Sequence, residues 1–120
     1  MSKTILITGG CGFIGHHFVE HIHKYTDWNI IIFDCLTYAI LVLKRLKNNW
    51  TFYSPRVKIF TLNLINEITP GIYKEIADIN YIVHMAAETH VDNSITRPVE
   101  CIHNNIMSTV HMLELARKLN

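Results

Sequence analysis

The sequence has no excess of charge of either sign, no paired cysteines and no long apolar run. Eleven Lys and Arg against ten Asp and Glu leave a formal net charge of +1. That gives no basic footprint for nucleic acid and no polybasic anchor for a membrane surface. The longest apolar candidates, NIIIF and AILVL, are separated by Asp34, and neither approaches the length of a membrane span. The opening MSKTILITGG has no signal-peptide core, because glycines end its apolar run early. Cys11, Cys35 and Cys101 are odd in number, widely spaced and without a C-x-x-C pair, which predicts reduced thiols in a cytoplasmic protein. Eight histidines are present, and His17 and His21 would share a helix face. Zinc needs a third ligand, and no H-E-x-x-H pattern or cysteine pair supplies one, so no metal site is expected.

What is present is a chain of 120 residues, 49% hydrophobic, long enough for one domain with a real core and too apolar to be disordered. Short β-rich runs alternate with helical periods. KTILIT is a strand, apolar throughout as a strand covered on both faces should be. Phe13 to about Tyr25 has helical spacing, with Ile14, Phe18, Ile22 and Tyr25 on one face. NIIIFD is a second strand closed by Asp34, and Leu36 to Lys47 is a weaker helical stretch. RVKIFTL, after the turn at Ser54 and Pro55, is a third strand. Thr69 and Pro70 read as an N-cap and first helical residue of a helix reaching about Ala77. NYIVHMA is the fourth strand. A long helix from about Pro98 to Lys118 follows, with Ile102, Ile106, Leu113 and Ala116 as its expected buried stripe and Asp92 or Ser94 as a candidate N-cap. Such alternation predicts an α/β fold, a Rossmann-type doubly wound parallel sheet of about four strands in the order 3-2-1-4.

The stretch TGGCGFIG, Thr8 to Gly15, follows the first strand directly and opens the first helix, the context that a dinucleotide fingerprint requires. Gly9 permits the tight turn, Gly12 lets the backbone approach a pyrophosphate, and Gly15 allows close packing of helix on sheet. The pyrophosphate would sit at the helix N-terminus, where N–H groups and the positive dipole end favour an anion. Asp34 ends the second strand about where a carboxylate reaches the adenosine ribose. It would repel a 2′-phosphate, which favours NAD over NADP. A solvent-exposed aspartate at a strand end is the alternative.

The TGxxGxxG spacing resembles that of the extended short-chain dehydrogenase/reductase family. Within it, AAETHVDNSITRP, from Ala86 to Pro98, looks like the AAxSHVDxSxxxP segment of dTDP-glucose 4,6-dehydratases. UDP-galactose epimerases usually carry AGxKxVGES there. DCLTYA after the second strand and NNIMST from Asn104 resemble the same dehydratases. The resemblance implies NAD as cofactor, held by the three glycines with Phe13 and Ile14, by Asp34 with Cys35, Leu36 and Thr37, and by Asn63 and Leu64. It also implies that Met85, Ala86, Ala87 and Thr89 line the cofactor, the two alanines being small enough for the strand end to approach the nicotinamide half. Thr89 stands for a serine that also touches the sugar, and Asn104 for a cofactor-contacting threonine. The implied substrate is a nucleotide sugar of the dTDP-glucose type. The implied assembly is a homodimer through helices that include the last one.

Several positions depart from that pattern. Ile40 stands where the family usually has glycine, and Leu41 and Val42 add bulk. Leu62, Asn63, Leu64, Ile65 and Asn66 replace the usual GDIxD, whose acid lies near the adenine amino group; Asn63 can offer its amide carbonyl instead. The implied chemistry takes a hydride from sugar C4, expels water across C5–C6 and returns the hydride at C6, which needs a base and an acid/base pair. The family's base is the tyrosine of a Tyr-x-x-x-Lys pair. Four residues after Tyr25, Tyr38, Tyr53, Tyr73 and Tyr81 stand Asn29, Val42, Val57, Ala77 and Met85. The family's Thr-Asp-Glu segment and sugar-nucleotide domain would fall beyond Asn120. No catalytic residue is therefore assigned. Residues 1–120 are expected to be the NAD-binding part of a dehydratase-like enzyme, inactive alone. A non-catalytic nucleotide-binding module or remnant, or a sugar-nucleotide epimerase, are the alternatives. A fourth strand left at the sheet edge would invite association.

Overall fold

The computed structural model describes residues 2–36, 44 and 47–120. Strands β1 (Thr4–Thr8), β2 (Asn29–Asp34), β3 (Val57–Thr61) and β4 (Tyr81–His84) form one sheet in the order β3-β2-β1-β4. Every neighbouring pair is parallel, as the alternation of strands and helices predicts. Around it lie α1 (Gly15–Tyr25), α2 (Pro70–Glu75), α3 (Val91–Thr96), α4 (Pro98–Leu119) and a 3-10 turn at Trp50–Tyr53. Most of the helical stretch expected between Leu36 and Lys47 lies outside the described residues, including Thr37, Ile40, Leu41 and Val42.

Successive side chains of a strand point to opposite faces, so the apolar runs divide between two cores. Ile5, Ile7, Ile30 and Ile32 pack with Val19 of α1 and with Phe52 on one face. Leu6, Ile31 and Phe33 pack with Leu64, Ile76, Met112 and Leu115 on the other. Both faces are covered, which is why the central strands read as unbroken apolar runs rather than alternating ones. Each fully buried aliphatic side chain contributes roughly 1.5–3 kcal/mol. The end of α1 is closed by Arg56, whose guanidinium donates to the carbonyls of His23 (2.8 Å), Thr26 (3.0 Å) and Trp28 (2.8 Å). Carbonyls at a helix C-terminus lack intrahelical donors and favour a cation, so this arginine ties α1 to the start of β3.

Helix α1 is rotated part-way from the face that its periodicity suggests, and α4 presents a different face. In α1 the buried residues are Gly15, Val19 and His23; of the expected stripe, Phe18 and Ile22 are half-buried and pack against the core, whereas Ile14 and Tyr25 are exposed. The contact of Gly15 with the loop below sets this rotation, and its i+4 and i+8 neighbours follow it onto the sheet. In α4 the expected stripe points outward, with Ile102, Ile106 and Leu113 exposed at 59%, 55% and 66%. Cys101, Ser108, Met112 and Leu115 face the sheet instead. This helix carries two stripes, and the longer apolar one is not the one that packs. Neither Asp92 nor Ser94 caps α4. They belong to the separate short helix α3, and Arg97 breaks the chain before Pro98 with φ −136° and ψ 60°, because a residue preceding proline avoids the helical region. Thr69 sits at the N-cap of α2 as expected, but through its carbonyl, which accepts from Ile72 N–H (3.1 Å) and Tyr73 N–H (3.2 Å).

Candidate functional site

In this strand order the chain steps outward from β1 to β2 and β3 and then crosses back to β4. The C-terminal ends of β1 and β4 therefore flank the topological switch point, where open α/β sheets form their ligand crevice. A cleft of about 530 Å³ lies there.

The glycine loop forms its first wall. Gly9 has φ +69°, and a Cβ there would stand 2.9 Å from the Ala86 backbone. The Gly9 N–H donates to Phe33 O (2.8 Å), and Gly9 O accepts from Gly12 N–H (2.9 Å), closing the turn. A Cβ on Gly15 would come within 2.0 Å of Gly9 O, far inside any tolerable contact. The start of α1 therefore sits directly on the loop. Its first turn holds no acidic side chain and no side-chain cap, so the positive end of the helix faces the cleft uncompensated. The second wall comes from the end of β2 and the segment after β3. Asp34 accepts from Cys11 N–H at Oδ2 (3.0 Å) and from Leu36 N–H at Oδ1 (2.8 Å). Each oxygen keeps a further lone pair for a ligand hydroxyl. Leu36 takes φ 54°, and only its backbone takes part here. Cys35, Asn63 and Leu64 line this side with Asp34.

The third wall is the end of β4, and it is held by groups that the sequence analysis does not assign. Thr8 Oγ1 accepts from Met85 N–H (2.9 Å) and Ala86 N–H (3.0 Å). With two donors on the oxygen, the hydroxyl proton is directed to His84 Nδ1, 2.6 Å away. His84 then carries its own proton on Nε2, toward Thr109 Oγ1 at 3.3 Å. Burial pushes the His84 pKa below its ordinary value, and a proton on Nδ1 would meet a hydroxyl whose lone pairs are already used. Beyond the alanines, Asn105 clamps Glu88 from both sides: its Oδ1 accepts Glu88 N–H (2.7 Å) and its Nδ2 donates to Glu88 O (3.1 Å). The Glu88 carboxylate accepts from Asn104 Nδ2 (3.0 Å) and lies 3.6 Å from the Arg97 guanidinium. Glu88 is part of this network, whereas Asp92 is in the first turn of α3. Burial, with Glu88 beside it, raises the pKa of the Cys101 thiol. His111 Nδ1 donates to Leu64 O at 2.6 Å, so α4 grips the loops on both sides of the cleft.

The cleft thus brings together Gly9, Gly12, Phe13, Ile14 and Gly15 with Asp34, Cys35, Asn63 and Leu64. Met85, Ala86, Ala87, Thr89 and Asn104 close the opposite side. Of the candidate residues, the Leu36 side chain is not among those lining it, and Thr37 lies outside the described residues. Thr8 opens the TGGCGFIG motif and Asn105 lies within NNIMST, but the partners that give them these roles are distant in the chain. Among the described residues no cluster of three His, Cys, Asp or Glu side chains could hold a metal ion. No helix there is long and apolar enough to cross a membrane.

A parallel sheet with a glycine turn, a helix N-terminus and a strand-end carboxylate at its switch point defines a dinucleotide-binding α/β domain. The chain belongs to the GDP-mannose 4,6 dehydratase family, whose model matches residues 6–120. It is 36% identical over 115 residues to the dTDP-glucose 4,6-dehydratase of Haemophilus influenzae, covering 94% of this chain and 32% of that protein. The crystal structure of a Bacillus anthracis dTDP-glucose 4,6-dehydratase in complex with NAD has a TM-score of 0.74 at 32% identity. That match covers 98% of this chain and 34% of the other. A UDP-Glc/GlcNAc 4-epimerase from Campylobacter jejuni has a TM-score of 0.76 at 26% identity, covering 98% and 34%. The chain spans about a third of the length of these relatives.

Two outcomes test this geometry. Gly15→Ala destabilises the chain by at least about 1–3 kcal/mol in urea unfolding, because its methyl group meets backbone. Gly71→Ala, with nothing within 4 Å of its Cβ, is neutral or stabilising by up to about 1 kcal/mol. The second concerns pH. Because burial lowers the folded-state pKa of His84, and of His23 with help from Arg56, the unfolded chain binds protons more readily. Stability is complete above the ordinary histidine value near 6.5 and falls as the pH drops below it. The thermal midpoint measured between pH 7.5 and pH 5.5 should show this fall, and His84→Gln should flatten it.

Proposed function

We propose that residues 1–120 are the NAD-binding portion of a sugar-nucleotide 4,6-dehydratase of the dTDP-glucose type. The observation that carries this reading is the cradle itself: Cβ atoms at Gly9 and Gly15 would meet the backbone of Ala86 and Gly9, at the one place where α1 points into the cleft. The N–H groups at the start of α1 bind and orient a pyrophosphate. Asp34 accepts from the ribose hydroxyls and repels a 2′-phosphate. Ala86 and Ala87 leave room for the nicotinamide half at the end of β4, and Thr89 and Asn104 add polar contacts beside it. NAD, when bound, supplies a hydride acceptor and donor.

The AAETHVDNSITRP segment and the 36% identity over 115 residues favour a dehydratase, while the epimerase match at 26% identity keeps a sugar-nucleotide epimerase as the second reading. No tyrosine of these 120 residues is followed by lysine at the fourth position, so they supply the cofactor cradle and no proton-transfer pair. A nucleotide-binding module without catalysis is consistent with the same site. We also propose self-association, through the outward apolar stripe of α4 or the open edge of β4.

Calorimetric titration of the 120-residue chain should show NAD binding in the micromolar range, with NADP at least about tenfold weaker. Asp34→Asn should narrow that difference by relieving repulsion of the 2′-phosphate. Failure to bind either nucleotide would sink the cofactor reading. Sedimentation should detect a dimer that Ile106→Glu shifts toward monomer. A dimer untouched by that change places the contact at the β4 edge instead.

A further inference from the structure

One imidazole behind the cleft has no freedom in where it carries its proton, and its hydrogen bonds fix that position from both ends. On one side Thr8 Oγ1 accepts from Met85 N–H (2.9 Å) and Ala86 N–H (3.0 Å), so its own proton points to His84 Nδ1 (2.6 Å). On the other, Thr109 Oγ1 donates to Asn105 O (2.9 Å) and is left to accept from His84 Nε2–H (3.3 Å). Only the neutral ring with its proton on Nε2 satisfies both neighbours.

A second proton on the ring goes to Nδ1 and meets the hydroxyl proton of Thr8. The hydroxyl must then rotate, and the directions left to its proton hold Met85 N–H and Ala86 N–H. One of these donors is displaced. Met85 N–H also reaches Thr8 O (3.2 Å) and is the one that can give way. The Met85–Ala86 peptide moves with it, against a turn that has no slack. A Cβ on Gly9 would stand 2.9 Å from Ala86 N and Cα and 3.1 Å from Met85 C, so this peptide lies directly on the glycine turn. A charge on His84 is thereby transmitted to the loop that opens α1.

We propose that His84 is a positioning residue for the cofactor, and that the cleft takes a dinucleotide only while the His84 ring is neutral. This rests on the dinucleotide reading given above. No charge among the described residues packed against His84 favours its protonation. β1 presents Thr8 and α4 presents Thr109, neither of which titrates here. Glu88, Arg97 and Glu100 pair with one another where α4 begins, as do Glu114 and Arg117 near its end. His111 is turned to Leu64 O, and Tyr81, at the far end of β4, accepts from Lys3. Burial lowers the His84 pKa. Affinity is therefore full above the ordinary histidine value near 6.5 and falls as the pH drops through the lowered one, by up to about tenfold per pH unit.

Calorimetric titration of the 120-residue chain with NAD between pH 7.5 and pH 5.5, wherever circular dichroism shows it folded, tests this. Two buffers of different ionisation enthalpy count the protons exchanged. Binding should weaken toward acid and release protons in the range where His84 titrates. The sign is diagnostic, because a pyrophosphate on α1 would favour charged His16 and His17 and so take protons up. In nuclear magnetic resonance titrations of the unaltered chain, the His84 pKa should be lower with NAD than without it. His84→Asn keeps an acceptor toward Thr8 and cannot titrate, so the release should vanish in it. Affinity that holds or rises toward acid, a release that survives His84→Asn, or a His84 pKa that NAD leaves unchanged overturns this role and leaves the dinucleotide reading standing. Failure to bind NAD at pH 7.5 overturns both.

Discussion

The cleft depends on how closely three stretches of backbone approach one another. Gly15 lies so near Gly9 O that no side chain fits between them, and Gly9 in turn lies against the Ala86 backbone. Those two contacts bring the start of α1, the end of β1 and the end of β4 to one point. They also set the rotation of α1, which sends Val19 and His23 onto the sheet. The core on that face and the helix end that faces the cleft thus share one cause. A methyl group at Gly15 would lift the helix and disturb both.

Around that point the polar groups are arranged to hold backbone rather than one another. Thr8 spends both lone pairs on the N–H groups of Met85 and Ala86 and its proton on His84, which fixes the histidine tautomer as a consequence. On the other side of β4, Asn105 takes the place of a neighbouring strand for Glu88, and His111 does part of the same work for Leu64. These residues explain why the sheet-facing side of α4 is partly polar. It grips two loops that have no regular partner of their own, and the helix turns its longer apolar stripe outward.

Family membership is established across residues 6–120, and the cleft has the shape and polarity of a dinucleotide site. The chain spans about a third of the length of the relatives it matches, and none of its five tyrosines is followed by lysine at the fourth position. Sheet and glycine loop form the cradle from local turns and strand pairing.

The strands, their order, the glycine turn and the carboxylate at the end of β2 were all legible in the sequence. Each follows from local chemistry: an unbroken apolar run, a turn that only glycine accommodates, an acid where a strand ends. The two alanines after β4 are expected to leave room for a cofactor, and the close approach found there is that of Gly9 to the Ala86 backbone. The packed face of α4 was not legible, and that of α1 only in Phe18 and Ile22. α4 has two stripes of comparable helical period, and periodicity cannot say which one the sheet will cover. Thr8 and Asn105 were hidden for the same reason, because their partners lie 78 and 17 residues away. A hydroxyl or carboxamide shows its role only when folding brings an unsatisfied backbone N–H within reach. Local sterics and hydrogen-bonding propensity thus determined the elements and the cofactor loop. Long-range packing decided which faces meet and which polar groups hold the cleft open.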